Sequence, residues 1–382
     1  MSFLHYFLPL FFALSWSLQC KAQTLPPVSL HDKIGQMLLI GFDGKQINAQ
    51  SEIVNAIAKN NIGGVILFDY NIQTQTFDKN IESPAQVKQL NHDLQYFTKQ
   101  ANLTHHRPNL PLLISVDYEG GHVTRLSEKY GFPATLSAAE VGEKNVEEIN
   151  ANAKIMANTL AASGFNLDFA PLVDVNVNSD NPIIAKKERS FSNDPALVTR
   201  DAKIYSQHFL NQKVQCAYKH FPGHGSSTSD SHLGFVDVTD TWKNYELEPY
   251  QKLLNQKNSC GVIMTAHIVN RQLDDSGLPA TLSHKILTDL LRHTLHYKGV
   301  IITDDMQMRA ISAQYPLEQA LVLAINAGAD MLIFGNALSP KAQDPEQLVH
   351  LIETRVQSGE ISEERINEAY KHIINLKKSL VH

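Results

Sequence analysis

Lys219-His220-Phe221-Pro222-Gly223-His224-Gly225, followed by Asp230-Ser231-His232, gathers three histidines, a lysine and an aspartate around a Pro-Gly turn. The segment continues directly from the apolar run 214–218. Titratable side chains at the end of a buried strand must be desolvated or paired, so packing gives no reason for them and chemistry does. Three chemistries fit these residue types. His220, His224, Asp230 and His232 are ligands of the zinc type, although their spacings match no helical i, i+4 pair and Pro222-Gly223 breaks any helix between the first two. A polar pocket could also hold a sugar without reacting with it. The third chemistry is glycoside hydrolysis by a carboxylate nucleophile and a separate proton donor. Thr303-Asp304 ends the apolar stretch 299–302 and supplies an acid on a rigid element. Asp230-Ser231-His232 supplies a proton carrier whose imidazole a nearby carboxylate can orient and whose charged form it can stabilise. The Gly and Ser residues around that dyad suit a loop that moves over substrate.

These residues need elements to hold them. Short apolar runs rich in branched residues predict eight strands, at 37–41, 63–68, 112–117, 167–173, 214–220, 261–267, 299–304 and 330–335. Between them lie amphipathic stretches with apolar residues at helical spacing, such as 146–162, 195–212, 245–256, 283–295 and 317–327. Asp194-Pro195 marks one helix start and Ala327-Gly328 one helix end. Strand and helix alternating eight times predicts an α/β chain folded as a single-domain (β/α)8 barrel of the TIM type. The surplus over a minimal barrel falls at 69–83, at 223–242 and in a final helix near 362–380. Such barrels build their sites from the carboxyl ends of the strands. Here those ends read Asp117, Asp174, Lys219-His220, His267, Asp304-Asp305 and Gly335-Asn336, a list that a hydrophobic core would not choose.

Of the 382 residues, 43% are hydrophobic and the formal net charge is −6, with no basic run or aromatic-and-basic stripe, which argues against a nucleic-acid partner. Residues 3–18 are almost continuously apolar and precede Cys20-Lys21-Ala22. A segment this short, ending at small residues, predicts a secretory signal over 1–22 rather than a membrane span. Export is the consequence, to the periplasm or beyond, with the barrel occupying 23–382. Cys20 offers a lipid anchor, but Ser17-Leu18-Gln19 is a poor match to the small residues that such processing prefers, so cleavage after Ala22 is expected. Cys216 and Cys260 fall inside apolar runs and are expected to be packed thiols rather than a bridge, since a chain this large does not need the staple.

The opening segment resembles, nearly letter for letter, the signature of the β-N-acetylhexosaminidases of glycoside hydrolase family 3. Asp117-Tyr118-Glu119-Gly120-Gly121 with Val123 and Arg125 is similar to that family's third-strand motif, and 299–308 looks like its nucleophile strand. The resemblance implies a retaining enzyme that removes terminal β-linked N-acetylglucosamine from peptidoglycan fragments or related saccharides without metal or organic cofactor; the sequence does not encode the oligomeric state, and a monomer is the expectation. By the same resemblance Asp304 is the nucleophile, with Asp305 as the competing choice, and His232 with Asp230 is the acid/base dyad. Asp117, Arg125, Arg189, Lys219 and His220 match positions that hold the sugar. Arg189 could instead pair with Glu188 or Asp194 at the surface. His224 is expected to hold the turn, and Asp174 either to order a strand end or to touch substrate. His267, which could line the pocket or cap a strand, is left outside the site. Four positions depart from the family pattern: His122 stands where Arg is common, Tyr118 where Gln is frequent, and Thr294 and Gln307 miss the consensus near the nucleophile strand. The β-glucosidases of the family carry a second domain with a glutamate acid/base, and the end of this sequence soon after its last helix points to the single-domain subgroup. A histidine acid repels an anionic acceptor less than a carboxylate would, so a phosphorylase is an alternative to a hydrolase.

Overall fold

All eight apolar runs form strands, and the polar residues at their ends collect at one end of the closed sheet. In the computed structural model, which describes residues 1, 28–254, 256–339 and 341–381, the chain begins with helix α1 (Leu30–Gln36) and strand β1 (Leu38–Gly41). Then come α2 (Glu52–Asn60), β2 (Gly64–Ile66), α3 (Pro84–Thr104), β3 (Leu113–Val116) and a hairpin, β4 (Tyr118–Gly120) with β5 (Val123–Thr124). Next are α4 (Ala138–Gly142), α5 (Val146–Ala162), β6 (Leu167–Asp168), α6 (Pro195–Asn211), β7 (Gln215–Phe221), α7 (Glu248–Leu253) and β8 (Val262–Thr265). A π-helix (Lys285–Thr294), β9 (Val300–Asp305), α8 (Arg309–Ser312), α9 (Leu317–Ala327), β10 (Met331–Phe334), α10 (Pro345–Gln357) and α11 (Glu363–Lys378) complete it. The predicted signal segment, with Cys20 and Ala22, lies outside the described residues.

The strands close in the order β1-β10-β9-β8-β7-β6-β3-β2, every pair parallel. Helices cover the outside, so both faces of each strand are buried, and this is why the strands read as continuous apolar runs instead of alternating ones. The chain is therefore the (β/α)8 barrel that the alternation predicts. Among the described residues no helix is long and apolar enough to cross a membrane.

Three elements differ from expectation. The regular strand expected at 167–173 ends at Asp168; single bonds continue to Ala170, whose carbonyl accepts the Ala217 N–H at 3.2 Å, Pro171 has no N–H to offer, and the Val173 N–H then donates to Lys219 O at 2.9 Å. The helix expected at 245–256 is split into a 3₁₀ turn (Asn244–Leu247) and α7, with Pro249 in the first turn of α7. The hairpin β4–β5 has no counterpart among the expected elements. It folds the chain back beside the end of β3, and the Arg125 N–H donates to Asp117 O at 3.1 Å.

The cysteines correct the packed-thiol reading: Cys216 and Cys260 form a disulfide, with Cα atoms 4.9 Å apart. Strand register is the reason. Ala217 pairs with Val262 across the parallel β7–β8 ladder, and this brings Cys216, on β7, level with the chain entering β8 at Cys260.

Candidate active site

β7 delivers Lys219 and His220 to the carboxyl end of the barrel, and both are almost fully buried. The Lys219 Nζ lies 3.0 Å from Asp117 Oδ1 and 2.6 Å from Glu119 Oε1. Burial alone would pull the ammonium down, but the two carboxylates raise it. Glu119, on β4, also accepts two hydrogen bonds from Arg189, Nε to Oε2 and Nη2 to Oε1, each 2.8 Å. Burial pushes the Glu119 carboxyl up, yet Arg189 and Lys219 outweigh it and hold it down at about 2. Arg189 is thus not a surface partner of Glu188 or Asp194. It is buried, and its Nη2 lies 3.4 Å from His220 Nε2.

Asp174 orders the other side of His220. Its carboxylate accepts the His220 backbone N–H, the His224 backbone N–H at 2.8 Å and, 2.7 Å away, His220 Nδ1. Since a carboxylate only accepts, His220 Nδ1 is the donor in this bond. The turn then closes tightly against the segment after β6. A Cβ on Gly225 would stand 1.6 Å from Val175 O, so any side chain there would push the turn off Asp174. His224 secures the next stretch of the loop, with Nδ1 2.8 Å from Ser227 Oγ and Nε2 3.2 Å from Ser231 Oγ. Burial depresses this imidazole to about 4, which keeps it neutral.

Ser231 carries that support to the dyad. Its carbonyl accepts the Ala310 N–H at 3.2 Å, and so the loop docks on the start of α8. His232 Nδ1 lies 2.7 Å from Asp230 Oδ1, which also accepts the His232 backbone N–H at 2.9 Å. Partial burial lowers the imidazole pKa, but the bond to Asp230 and the charges of Asp304 and Asp230 raise it overall.

Asp304 and Asp305 diverge at the end of β9. The Asp305 carboxylate turns into the backbone, accepting the Gln307 N–H at 2.9 Å and the Gly335 N–H at 3.3 Å, and burial raises it to about 7. Asp304 is half-buried. Burial raises its pKa too, but His267, His220 and His232 bring it down to about 2. His267 is itself fixed by Thr281 Oγ1 at 2.7 Å and the Asp305 carbonyl at 3.0 Å.

The predicted residues therefore converge, with Arg125 at the margin. Its guanidinium sits over the Phe68 ring, 5.5 Å from the centroid, and 3.8 Å from Asp69. Glu119 and His267 are the residues that sequence reasoning missed. Glu119 lies inside the quoted third-strand motif, an acid two residues past Asp117, while His267 ends a predicted strand and could equally have capped it. The four residues with zinc-type chemistry are engaged elsewhere: His220 with Asp174, His224 with two serines, His232 with Asp230. Among the described residues no three His, Cys, Asp or Glu side chains gather as metal ligands.

A barrel with a carboxylate and a carboxylate-bound imidazole at its mouth defines a class, the glycosidase-type (β/α)8 barrels. Residues 29–376 match the model of the glycosyl hydrolase family 3 N-terminal domain, and the chain belongs to that family. It is 32% identical to the β-hexosaminidase A of Pseudoalteromonas piscicida over 93% of its own length and 62% of the relative's. It is 31% identical to a β-hexosaminidase of Idiomarina loihiensis, over 78% of this chain and 83% of that one. A solved family 3 β-N-acetylglucosaminidase from Paenibacillus sp. strain FPU-7 superposes with a TM-score of 0.81 at 32% identity, covering 93% of this chain and 63% of that one. The chain thus spans under two thirds of two of these proteins.

Proposed function

We propose that this protein is a retaining β-N-acetylhexosaminidase that cleaves terminal β-linked N-acetylglucosamine from saccharides such as peptidoglycan fragments. The observation that carries the reading is the separation of two neighbouring titrating groups. The Asp304 carboxyl is held down at about 2 while the His232 imidazole is raised, which widens the pH range in which one is a carboxylate and the other an acid. Family membership and the β-hexosaminidase and β-N-acetylglucosaminidase names of the relatives support the same reading.

In the first step the Asp304 carboxylate attacks the anomeric carbon, and His232 gives its proton to the departing oxygen. Asp230, bound to Nδ1, leaves Nε2 as the proton-donating atom and stabilises the charged ring before transfer. In the second step neutral His232 takes a proton from water, which displaces Asp304 and restores the starting configuration. Lys219, Arg189, His220, Asp117 and Arg125 would hold the sugar, charged donors and acceptors fixed by each other before substrate arrives. The chemistry uses no metal or organic cofactor.

Export is part of the proposal, supported by the apolar start of the chain and by the Cys216–Cys260 bridge, which persists in oxidising compartments. The deciding experiment is turnover of matched aryl β-N-acetylglucosaminides and β-glucosides, with and without phosphate. Release from the N-acetylglucosaminide independent of phosphate supports the hydrolase; a sugar phosphate product would make the protein a phosphorylase, and no turnover of either would leave a binding protein.

A further inference from the structure

One fully buried carboxyl beside the site has no part in this mechanism. Glu246 lies in the 3₁₀ turn that leads into α7, with 0% of its surface exposed. Its Oε1 accepts the Lys243 backbone N–H at 3.1 Å, capping that turn. Its Oε2 makes no well-aligned hydrogen bond, although the Ser226 hydroxyl and backbone N–H stand close enough to favour its charged form, and it is aimed at the signature turn. A Cβ built on Gly223, which has φ +121°, would lie 2.8 Å from Glu246 Cβ and 3.0 Å from this oxygen. Trp242 holds the same turn through Nε1, which donates to Pro222 O at 3.3 Å.

The surroundings favour a neutral acid. Ser226 Oγ and Tyr250 OH are buried without partners and adjoin the carboxyl, and the charged group that faces it is the Asp174 carboxylate, a like charge. No cation faces it among these neighbours, since His224 on the same turn is held neutral by burial. Burial raises Glu246 to about 7 against the pull of the Lys243 backbone and Ser226, and Asp174 adds to the rise.

We infer that Glu246 is a positioning residue of the site: as the neutral acid it seats the turn 222–226 on the start of α7, and its ionisation beside Asp174 loosens that seat. Asp174 carries the backbone of both His220 and His224, and His224 in turn carries Ser231 of the dyad loop. Loss of the seat therefore reaches substrate binding and proton transfer together.

The test rests on the hydrolase reading for its kinetic readout and on infrared spectroscopy for an independent one. In the native protein the alkaline limb of kcat/KM for an aryl β-N-acetylglucosaminide contains the ionisation of Glu246 beside those of His232 and Asp305; in Glu246→Gln it contains one ionisation fewer. A carboxyl with a pKa of about 7 is roughly ten parts in eleven ionised at about pH 8, so Glu246→Gln should retain roughly tenfold more of its acidic-side rate there than the native protein. An unchanged limb, or a uniform loss at every pH, overturns the inference. Ser226→Ala removes a contact that lowers the carboxyl pKa, so its limb should move to higher pH; an unmoved limb is contrary evidence even if Glu246→Gln does not fold. The infrared difference between native protein and Glu246→Gln should contain a protonated-carboxyl band that bleaches as pH rises through about 7. Absence of that band sinks the neutral acid whether or not the substrate is turned over, while a band without turnover sinks only the hydrolase reading.

Discussion

Glu119 grips Arg189 by two parallel hydrogen bonds of 2.8 Å and at the same time stands 2.6 Å from Lys219. One buried carboxylate thus pairs with two buried cations, and all three side chains are at most 8% exposed. Glu119→Ala would leave Arg189 without its carboxylate and Lys219 with Asp117 alone, a loss of about 3–5 kcal/mol in urea unfolding. Glu119→Gln keeps the shape and should lose less. The carboxyl pKa is depressed, so its stabilisation is complete above the ordinary value of 4.5 and disappears as pH falls through about 2. Native protein should therefore lose stability over that acidic window more steeply than Glu119→Gln.

Asp304→Ala removes the proposed nucleophile from a half-buried position that three histidines face. Turnover of an aryl β-N-acetylglucosaminide should fall on the order of 10⁴-fold or more, with folding intact by circular dichroism. Asp305→Asn is the control. Its carboxyl binds the Gln307 and Gly335 N–H groups, so the substitution should lower melting temperature more than it lowers kcat. Native protein treated with a fluorinated N-acetylglucosaminide that has a fast leaving group, so that the glycosyl-enzyme forms and then hydrolyses slowly, should carry the label on Asp304, as peptide mass spectrometry would reveal.

The barrel was legible because parallel strands buried on both faces leave uninterrupted apolar runs, each closed by the polar residue that reaches the mouth. Lys219, His220 and Asp304 stood out for that reason. Glu119 did not, because it sits on a three-residue strand of a hairpin too short to leave a periodic signal. Asp174 was legible only in part: its place after the fourth strand was visible, but its grip on the His220 and His224 backbones depends on chain reversal through Pro222-Gly223. The disulfide was hidden because it depends on the relative height of two neighbouring strands, which apolar runs do not encode. Pro171, by contrast, was a stop signal in plain view within the run 167–173.

The Cys216–Cys260 bridge closes a chain segment with a separation of 44 residues, both ends buried in β7 and beside β8. Constraining the unfolded chain over such a loop contributes about 2–4 kcal/mol. Paired replacement by alanine, or unfolding in the presence of a thiol reductant, should lower the melting temperature by that equivalent while leaving KM unchanged, since neither cysteine reaches the mouth. Folded protein isolated without reductant should resist thiol alkylation at both positions; quantitative alkylation would show two free thiols.

The dyad gives the sharpest kinetic expectation. If His232 protonates the departing oxygen, His232→Ala should slow substrates with poor leaving groups about 10²–10⁴-fold and those with an acidic phenol far less, because a stable phenolate needs no proton. Equal losses for both would remove His232 from the acid role. Asp230 acts through the ring, its Oδ1 2.7 Å from Nδ1 and its charge raising the imidazole. A histidine with a raised pKa is a competent acid below that value and ceases to be one as pH rises through it. Asp230→Asn removes the charge that holds the proton on, so the alkaline limb of kcat/KM should move to lower pH. The same variant should lower kcat for poor leaving groups at every pH, because the amide cannot stabilise the imidazolium. A limb that stayed in place would mean that Asp230 only shapes the loop, and that the proton on His232 is set by Asp304 alone.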